Sequence, residues 1–423
     1  MTEAPIESIT AREILDGRLE PTLRVTVETS AGTGRADVPA GRSTGRHEAT
    51  ERRDGGDRYA GLGVRGAVES VEERIAPALA GRPVTDQRAL DAALEELDGT
   101  ADLSALGGNA VTGVSLALLR AGAAATGRPL YRYLGGSDAH VLPVPFFDLI
   151  EGGSLAGGAL PFQEHQVVPV GAPSFEEAIR RCAEVYYELG DRLAEEYGPA
   201  STNVGDEGGY VPVGMDDPRD AFDAILAAVE ECGYGDTFAL AIDAAAGEFH
   251  EDGRYHLADR SVDSEELCAL YQELVESYPL VSIEDPLVET DLDGTAALTD
   301  RFEVQVVGDD LFATDPDRLR RGVEHGAANA LLLKVNQVGT VSRALDAASL
   351  ATRSGYGVQA SERSGQTPDT WLADLAVGLN AGQIKTGVSR GERTEQYNRL
   401  LEIADDLRSA AVYGGPAIEQ LGG

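Results

Sequence analysis

Lys334 and Lys385 are the only lysines in this chain; the rest of its 35 Lys and Arg positions are arginine. Both end short apolar runs, Ala-Leu-Leu-Leu-Lys334 and Gly-Gln-Ile-Lys385, where a solvated surface amine is out of place. Lysine can do what arginine cannot: near neutral pH it can release its proton and act as a base. Similar runs end in Asp243 (Phe-Ala-Leu-Ala-Ile-Asp), Glu284 (Leu-Val-Ser-Ile-Glu), Asp309 (Val-Gln-Val-Val-Gly-Asp) and Ser361 (Gly-Val-Gln-Ala-Ser). Three carboxylates gathered in one volume repel one another and push their pKa values up. A hard divalent cation relieves that conflict, and ligands that are all oxygen favour magnesium. A structural salt bridge is the competing use for any one of these acids. A lysine beside such a cation is favoured in its neutral form, so Lys334 is a candidate base for a weakly acidic proton.

These residues need a scaffold that brings successive run ends to one place. From Glu284 onward the ends recur about every 25 residues, with helix-like segments such as Asp315 to Glu324 and Val341 to Ser354 between them, which predicts a parallel (β/α) barrel. Active sites of such barrels lie at the C-terminal ends of the strands. A doubly wound open sheet is the competing fold, but it does not direct so many successive strand ends into one site.

An N-terminal α+β domain, residues 1–132, precedes the barrel domain, residues 133–423, with Gly135-Gly136-Ser137-Asp138 at the junction. Leu23, Val25 and Val27 alternate with polar residues as in a half-buried strand. The glycines of Pro39-Ala40-Gly41-Arg42-Ser43-Thr44-Gly45 predict a mobile loop. Asn109 to about Thr126, rich in alanine and leucine, reads as an internally packed helix. Thr202 to Gly209 forms a glycine-flanked acidic loop in which Glu207 is a candidate general acid. Arg363-Ser364-Gly365 offers a fork of donors and a hydroxyl suited to phosphate or carboxylate.

A net charge of −37 spread along the chain argues against nucleic acid or anionic membranes as partners. An acidic surface with arginine in place of lysine suits a halophilic protein, hydrated at high salt where screening blunts self-repulsion. Cys182, Cys232 and Cys268 are scattered and lack metal-type spacing, as expected in a reducing cytoplasm. No signal peptide and no apolar run of transmembrane length is read, so a cytoplasmic location is expected.

Taken together, these segments resemble the enolases over nearly the whole chain, from Ile9-Thr10-Ala11-Arg12 to Asn398-Arg399-Leu400-Leu401. The most specific stretches are Asn203 to Gly209, Ser282-Ile283-Glu284-Asp285-Pro286, Leu331 to Gln337 and Gly382 to Gly387. The resemblance implies an enolase-type (β/α)8 barrel with an N-terminal capping domain, its first strands departing from simple βα alternation. It implies a magnesium-dependent lyase that reversibly dehydrates 2-phosphoglycerate to phosphoenolpyruvate, in glycolysis and gluconeogenesis. Asp243, Glu284 and Asp309 would hold the tighter magnesium and Ser43 a second. Lys334 would remove the α-proton, and Lys385 would contact the substrate carboxylate. Glu207 and Glu164 would assist departure of the hydroxyl, while Arg363 and Ser364 would hold the phosphate. A homodimer or larger homo-oligomer is implied as well.

Several positions depart from the enolase pattern. Leu155 and Glu362 stand where the family carries histidines that face the substrate. Leu155 removes a polar contact. Glu362 sets an acid beside Arg363, where it would neutralise the arginine or repel a dianionic phosphate. Glu151 replaces the asparagine of Asn-Gly-Gly, and Ala40 and Arg42 alter the glycine-rich loop. These changes keep two other expectations open: a lyase or isomerase acting on a different carboxylate, such as a phosphonate or a non-phosphorylated hydroxy acid, and a non-catalytic paralogue.

Overall fold

The computed structural model describes residues 4–42, 45–157, 160–258 and 260–419. Eight strands close into a barrel: Val144–Glu151, Glu164–Val168, Ala239–Asp243, Leu280–Glu284, Gln305–Gly308, Ala330–Leu333, Gly357–Ser361 and Gly382–Lys385. Seven run parallel. The second is antiparallel to both neighbours, so the chain enters it at the rim where the others finish. Glu151, Glu164, Asp243 and Glu284 are therefore paired in successive strands at one level. The closed ring rules out the open doubly wound sheet.

The first two strands have a connection unlike the rest. A short segment joins them, and two helices, Phe175–Tyr197 and Pro218–Glu231, separate the second from the third. Each later connection carries a helix, the third-to-fourth adding a small three-stranded sheet and the sixth-to-seventh a second, one-turn helix, and the helices have local start signals. Asp315 accepts from the N–H groups of Asp317 and Arg318 to cap Pro316–His325. Asp263 and Glu266 form a reciprocal capping box on Ser264–Ser277.

Ahead of the barrel, strands Ile6–Leu15, Pro21–Thr29 and Gly32–Asp37 form an antiparallel sheet in that order. Helix Gly108–Ala125, almost wholly buried, lies against it. The approach depends on missing side chains: a Cβ on Gly113 would sit 2.7 Å from Val25 and 2.9 Å from Val38. This burial explains why the helix is apolar all round; among the described residues no single helix is long and apolar enough to cross a membrane.

Asp91 ties this unit to the barrel. Its carboxylate accepts from Ser115 and from both the N–H and the hydroxyl of Ser342, at the start of barrel helix Val341–Arg353. Burial raises its pKa despite these donors. The apolar core is correspondingly continuous from Val25 and Val114 through to Ile283 and Leu331.

His165, on the second strand, is fully buried against Phe162 and Phe222. Burial pushes its pKa down to about 4, below the ordinary histidine value, so the unfolded chain takes up this proton first. Its contribution is complete above pH 6.5 and is lost as pH falls toward 4. Wild type should lose about 2 kcal/mol more than His165→Phe between pH 7 and 4.5, measured as urea unfolding free energy. Parallel pH profiles for the two proteins would refute this.

Candidate active site

The rim acids do not point apart; they share the two lysines. Lys385 Nζ lies 2.8 Å from Asp243 Oδ2, 2.9 Å from both oxygens of Glu284 and 3.1 Å from Glu164 Oε1. Lys334 Nζ lies 2.5 Å from Asp309 Oδ2, whose other oxygen accepts from Gln337 at 2.7 Å. The structure thus brings Asp243, Glu284, Asp309, Lys334, Lys385 and Glu164 to one cluster. Strand geometry does this: the five on parallel strands close or just follow their strands, while Glu164 opens its antiparallel one.

A second layer fixes these groups. Asp285 has a left-handed backbone (φ 38°) and accepts from the N–H groups of Asp309 and Asp310 at 3.0 and 2.7 Å. That turn, uncommon for a residue with a Cβ, aims the neighbouring strand's acid into the site. Asp285, Asp309 and Asp310 present carboxylate oxygens within 4.8 Å of one another. Burial, then repulsion from Asp309, carries Asp310 up to about 7.

Glu207 faces the cluster from the Asp-Glu-Gly-Gly loop. Its N–H and that of Gly209 both donate to Glu151 Oε1, at 3.2 and 2.6 Å. Glu151, one of the departures from the enolase pattern, is thus the acceptor that shapes this loop. Burial pushes Glu164 up to about 8; Lys385 opposes the rise, while Glu207 and Asp243 add to it.

The phosphate-type residues sit across the opening. Arg363 is held by a buried fork to Glu48, at 2.6 and 3.1 Å. Ser364 Oγ accepts from Arg18 at 3.2 Å and from the Arg42 N–H at 2.8 Å. Arg42 also reaches Asp206 at 2.6 Å, linking the glycine-rich loop to the acidic loop. Ser43 lies outside the described residues.

One sequence expectation changes. The acid paired with Arg363 is Glu48, whereas Glu362 faces the other way, 3.2 Å from Arg393 Nε and 3.2 Å from Thr386 Oγ1. Arg393 is fully buried and also donates to the carbonyls of Ser364 and Asp206. The chain's own groups, cation aside, act on Lys334 in two directions: burial lowers its pKa, but Asp309 outweighs that and holds it above the ordinary value. Lys385 is held further above, for the same reason, by Asp243, Glu164 and Glu284.

These groups, with Leu155 on one wall and Gly41 and Arg42 on another, line a cavity of about 50 Å³. Sequence reasoning missed Glu48, Asp285, Asp310 and Arg393. The acid doublets Glu284-Asp285 and Asp309-Asp310 were a signal for two of them; Arg393 lies far from any strand end and gave none.

The donor set fits a hard divalent cation. Asp243, Glu284 and Asp309 offer only oxygen, and two of them already converge on a single ammonium. Burial and mutual repulsion raise Glu284 well above the usual carboxylate range, Lys385 opposing.

A closed eight-stranded barrel with an antiparallel second strand and a small α+β unit before it is the enolase-type architecture. The family profile for the enolase N-terminal domain matches residues 6–134, and that for the enolase C-terminal TIM barrel domain matches 139–421. Enolase of Methanopyrus kandleri is 55% identical over 417 residues, 97% of each chain. Enolase of Thermococcus kodakarensis is 53% identical over 417 residues, again 97% of each. That of Beutenbergia cavernae is 51% identical over 419 residues, 97% of this chain and 98% of its own. The chain belongs to the enolase family, whose enzymes are hydro-lyases.

Glu151→Ala should cost about 2 kcal/mol in denaturant unfolding, because it strips the acceptor from two buried N–H groups. Glu151→Gln, which keeps an acceptor, should stay near wild type. Equal losses in both variants would remove the acceptor role.

Proposed function

We propose that this enzyme interconverts 2-phosphoglycerate and phosphoenolpyruvate, with magnesium. The observation that carries the reading is the pair of lysines set among Asp243, Glu284 and Asp309, with Glu164 and Glu207 opposite. It draws further support from relatives named enolase over 97% of this chain. Lysine base with magnesium is the general pattern of the enolase superfamily.

Asp243, Glu284 and Asp309 would hold the ion, with Ser43 as ligand to a second. Bound there, magnesium offsets the clustered carboxylates and the charge gathering on the substrate carboxylate. Lys334 Nζ takes the proton from the carbon α to that carboxylate, and the C–H electron pair moves toward the carboxylate oxygens. To do so Lys334 must shed its proton and give up its pairing with Asp309. Lys385 places its ammonium against the same carboxylate. As the electron pair returns to form the double bond, the β-carbon–oxygen bond breaks. Glu207 or Glu164 gives the departing hydroxyl a proton, so it leaves as water; Glu164, with its raised pKa, holds such a proton at neutral pH. Arg363 and Ser364 receive the phosphate, and Glu48 must share or yield the guanidinium fork.

A different carboxylate substrate is the second reading. Leu155, an apolar wall in a mostly ionic cavity, favours it, together with the unpartnered Oε1 of Glu362. The pairing of Glu362 with Arg393 weighs the other way, since it turns one Glu362 oxygen from the phosphate residues. From the acidic composition and the family we further propose a cytoplasmic, salt-adapted homo-oligomer.

The direct test follows phosphoenolpyruvate absorbance with 2-phosphoglycerate and magnesium in high potassium chloride. Turnover should vanish with chelator and return with magnesium. Lys334→Ala should lower it at least 10³-fold and stop solvent deuterium exchange at the α-carbon, the range expected for losing a proton-transfer group. Folded, magnesium-loaded wild type without turnover would favour the second reading. Continued exchange in Lys334→Ala would take Lys334 out of the mechanism.

A further inference from the structure

Arg42, in the glycine-rich loop, is a cation that the proposed chemistry leaves unused. Two contacts place it. Its N–H donates to Ser364 Oγ at 2.8 Å, which seats its backbone beside Arg363 and Ser364. Its side chain reaches across to the acidic loop, where Nε lies 2.6 Å from Asp206 Oδ2. The Asp206 N–H donates in turn to the Leu155 carbonyl at 3.4 Å. The guanidinium therefore ends on the segment that meets Leu155, whose side chain offers a phosphate no hydrogen bond.

Among the described residues four cations line the cavity: Arg42, Lys334, Arg363 and Lys385. The last three have side chains only 12%, 5% and 3% exposed, and the acids that hold them are about as buried. Withdrawing one of them leaves an uncompensated buried charge, at high cost. Arg42 differs. Its side chain is 47% exposed, and among the described residues Asp206 is the one acceptor its guanidinium bonds. A single bond to a half-exposed guanidinium is worth far less than a buried pair, and the other N–H groups of the fork remain to donate. The cavity, about 50 Å³, has room for a few water molecules. A phosphorylated three-carbon acid enters only if a contact at the edge gives way, and of these four cations Arg42 is the least costly to release.

We propose that Arg42 is a substrate-binding residue, whose guanidinium exchanges Asp206 for the phosphate of the substrate and joins Arg363 and Ser364 there. This rests on the phosphorylated-substrate reading above. A planar fork suits a phosphate dianion, which accepts two of its N–H groups at once. It brings positive charge that Arg363, already paired with Glu48, supplies only in part.

The experiment measures kcat and KM for 2-phosphoglycerate with magnesium in potassium chloride. The variants are Arg42→Ala, Arg42→Lys, Asp206→Asn and the combination of Arg42→Ala with Asp206→Asn, each checked for native circular dichroism. Arg42→Ala should raise KM at least fivefold and lower kcat by less, and Arg42→Lys should recover part of the loss. Asp206→Asn should lower KM, because it frees the guanidinium, and should bring no such gain when Arg42 is already alanine. If Arg42 and Asp206 only tie two loops together, both single variants raise KM alike. That result overturns the inference, as does an unchanged KM in Arg42→Ala. Wild type that does not turn over 2-phosphoglycerate sinks the substrate reading instead, and calorimetric titration with inorganic phosphate then decides for Arg42. Binding at least fivefold weaker in Arg42→Ala supports its role; equal binding, or none in wild type, overturns it.

Discussion

Buried negative charge is the constraint around which this molecule is arranged. Carboxylates from most barrel strands and two loops meet at one rim, and a handful of cationic side chains answers them. Two of these cations are shared, Lys385 among three acids and Arg393 between Glu362 and two backbone carbonyls, while Lys334 pairs with one acid, Asp309. Removing one partner from such an arrangement leaves the others buried and uncompensated, which costs far more than losing a surface pair. That explains why a lysine-averse composition keeps a lysine at position 385. A compact ammonium on a flexible stem can sit at the centre of several carboxylates; a planar guanidinium cannot.

The same constraint orders the parts around the rim. Antiparallel entry of the second strand lets Glu164 meet Asp243 and Glu151 at one level. Positive φ at Asp285 turns its carboxylate onto the next strand end. The glycine-rich loop, bonded through Arg42 and Glu48 to two other segments, walls the opposite side. Asp91 fastens the N-terminal unit, and with it that loop, to the barrel.

Much of this was legible in the sequence, for a physical reason. Parallel strands buried on both faces read as short apolar runs, and their last residues must face the site, so Asp243, Glu284, Lys334 and Lys385 stood out by position alone. The first two strands did not show. Val144–Glu151 is buried throughout yet carries Asp148 and Glu151, which break the apolar run, and five-residue Glu164–Val168 has polar residues in its first three positions. The partners of Arg363 and Glu362 were illegible because they come from Glu48 and Arg393, hundreds and tens of residues away in opposite directions. Adjacency in sequence suggested that Glu362 and Arg363 would interact. Successive positions just past a strand face apart, and three-dimensional neighbours decided the pairing.

Barrel closure has a consequence for how the enzyme is made. The last strand, Gly382–Lys385, pairs with the first, Val144–Glu151, and Arg393 follows it on the final long helix, Gly391–Leu407. During synthesis every rim acid is therefore translated before Lys385 and Arg393 exist to offset it. A nascent chain carrying only its earlier strands would hold the acids with neither closure nor counter-charge, so the rim can assemble only once the chain through Arg393 has left the ribosome. Contacts this distant in sequence form slowly, so the pairing of Gly382–Lys385 with Val144–Glu151 is the closure on which the rim's charge balance waits.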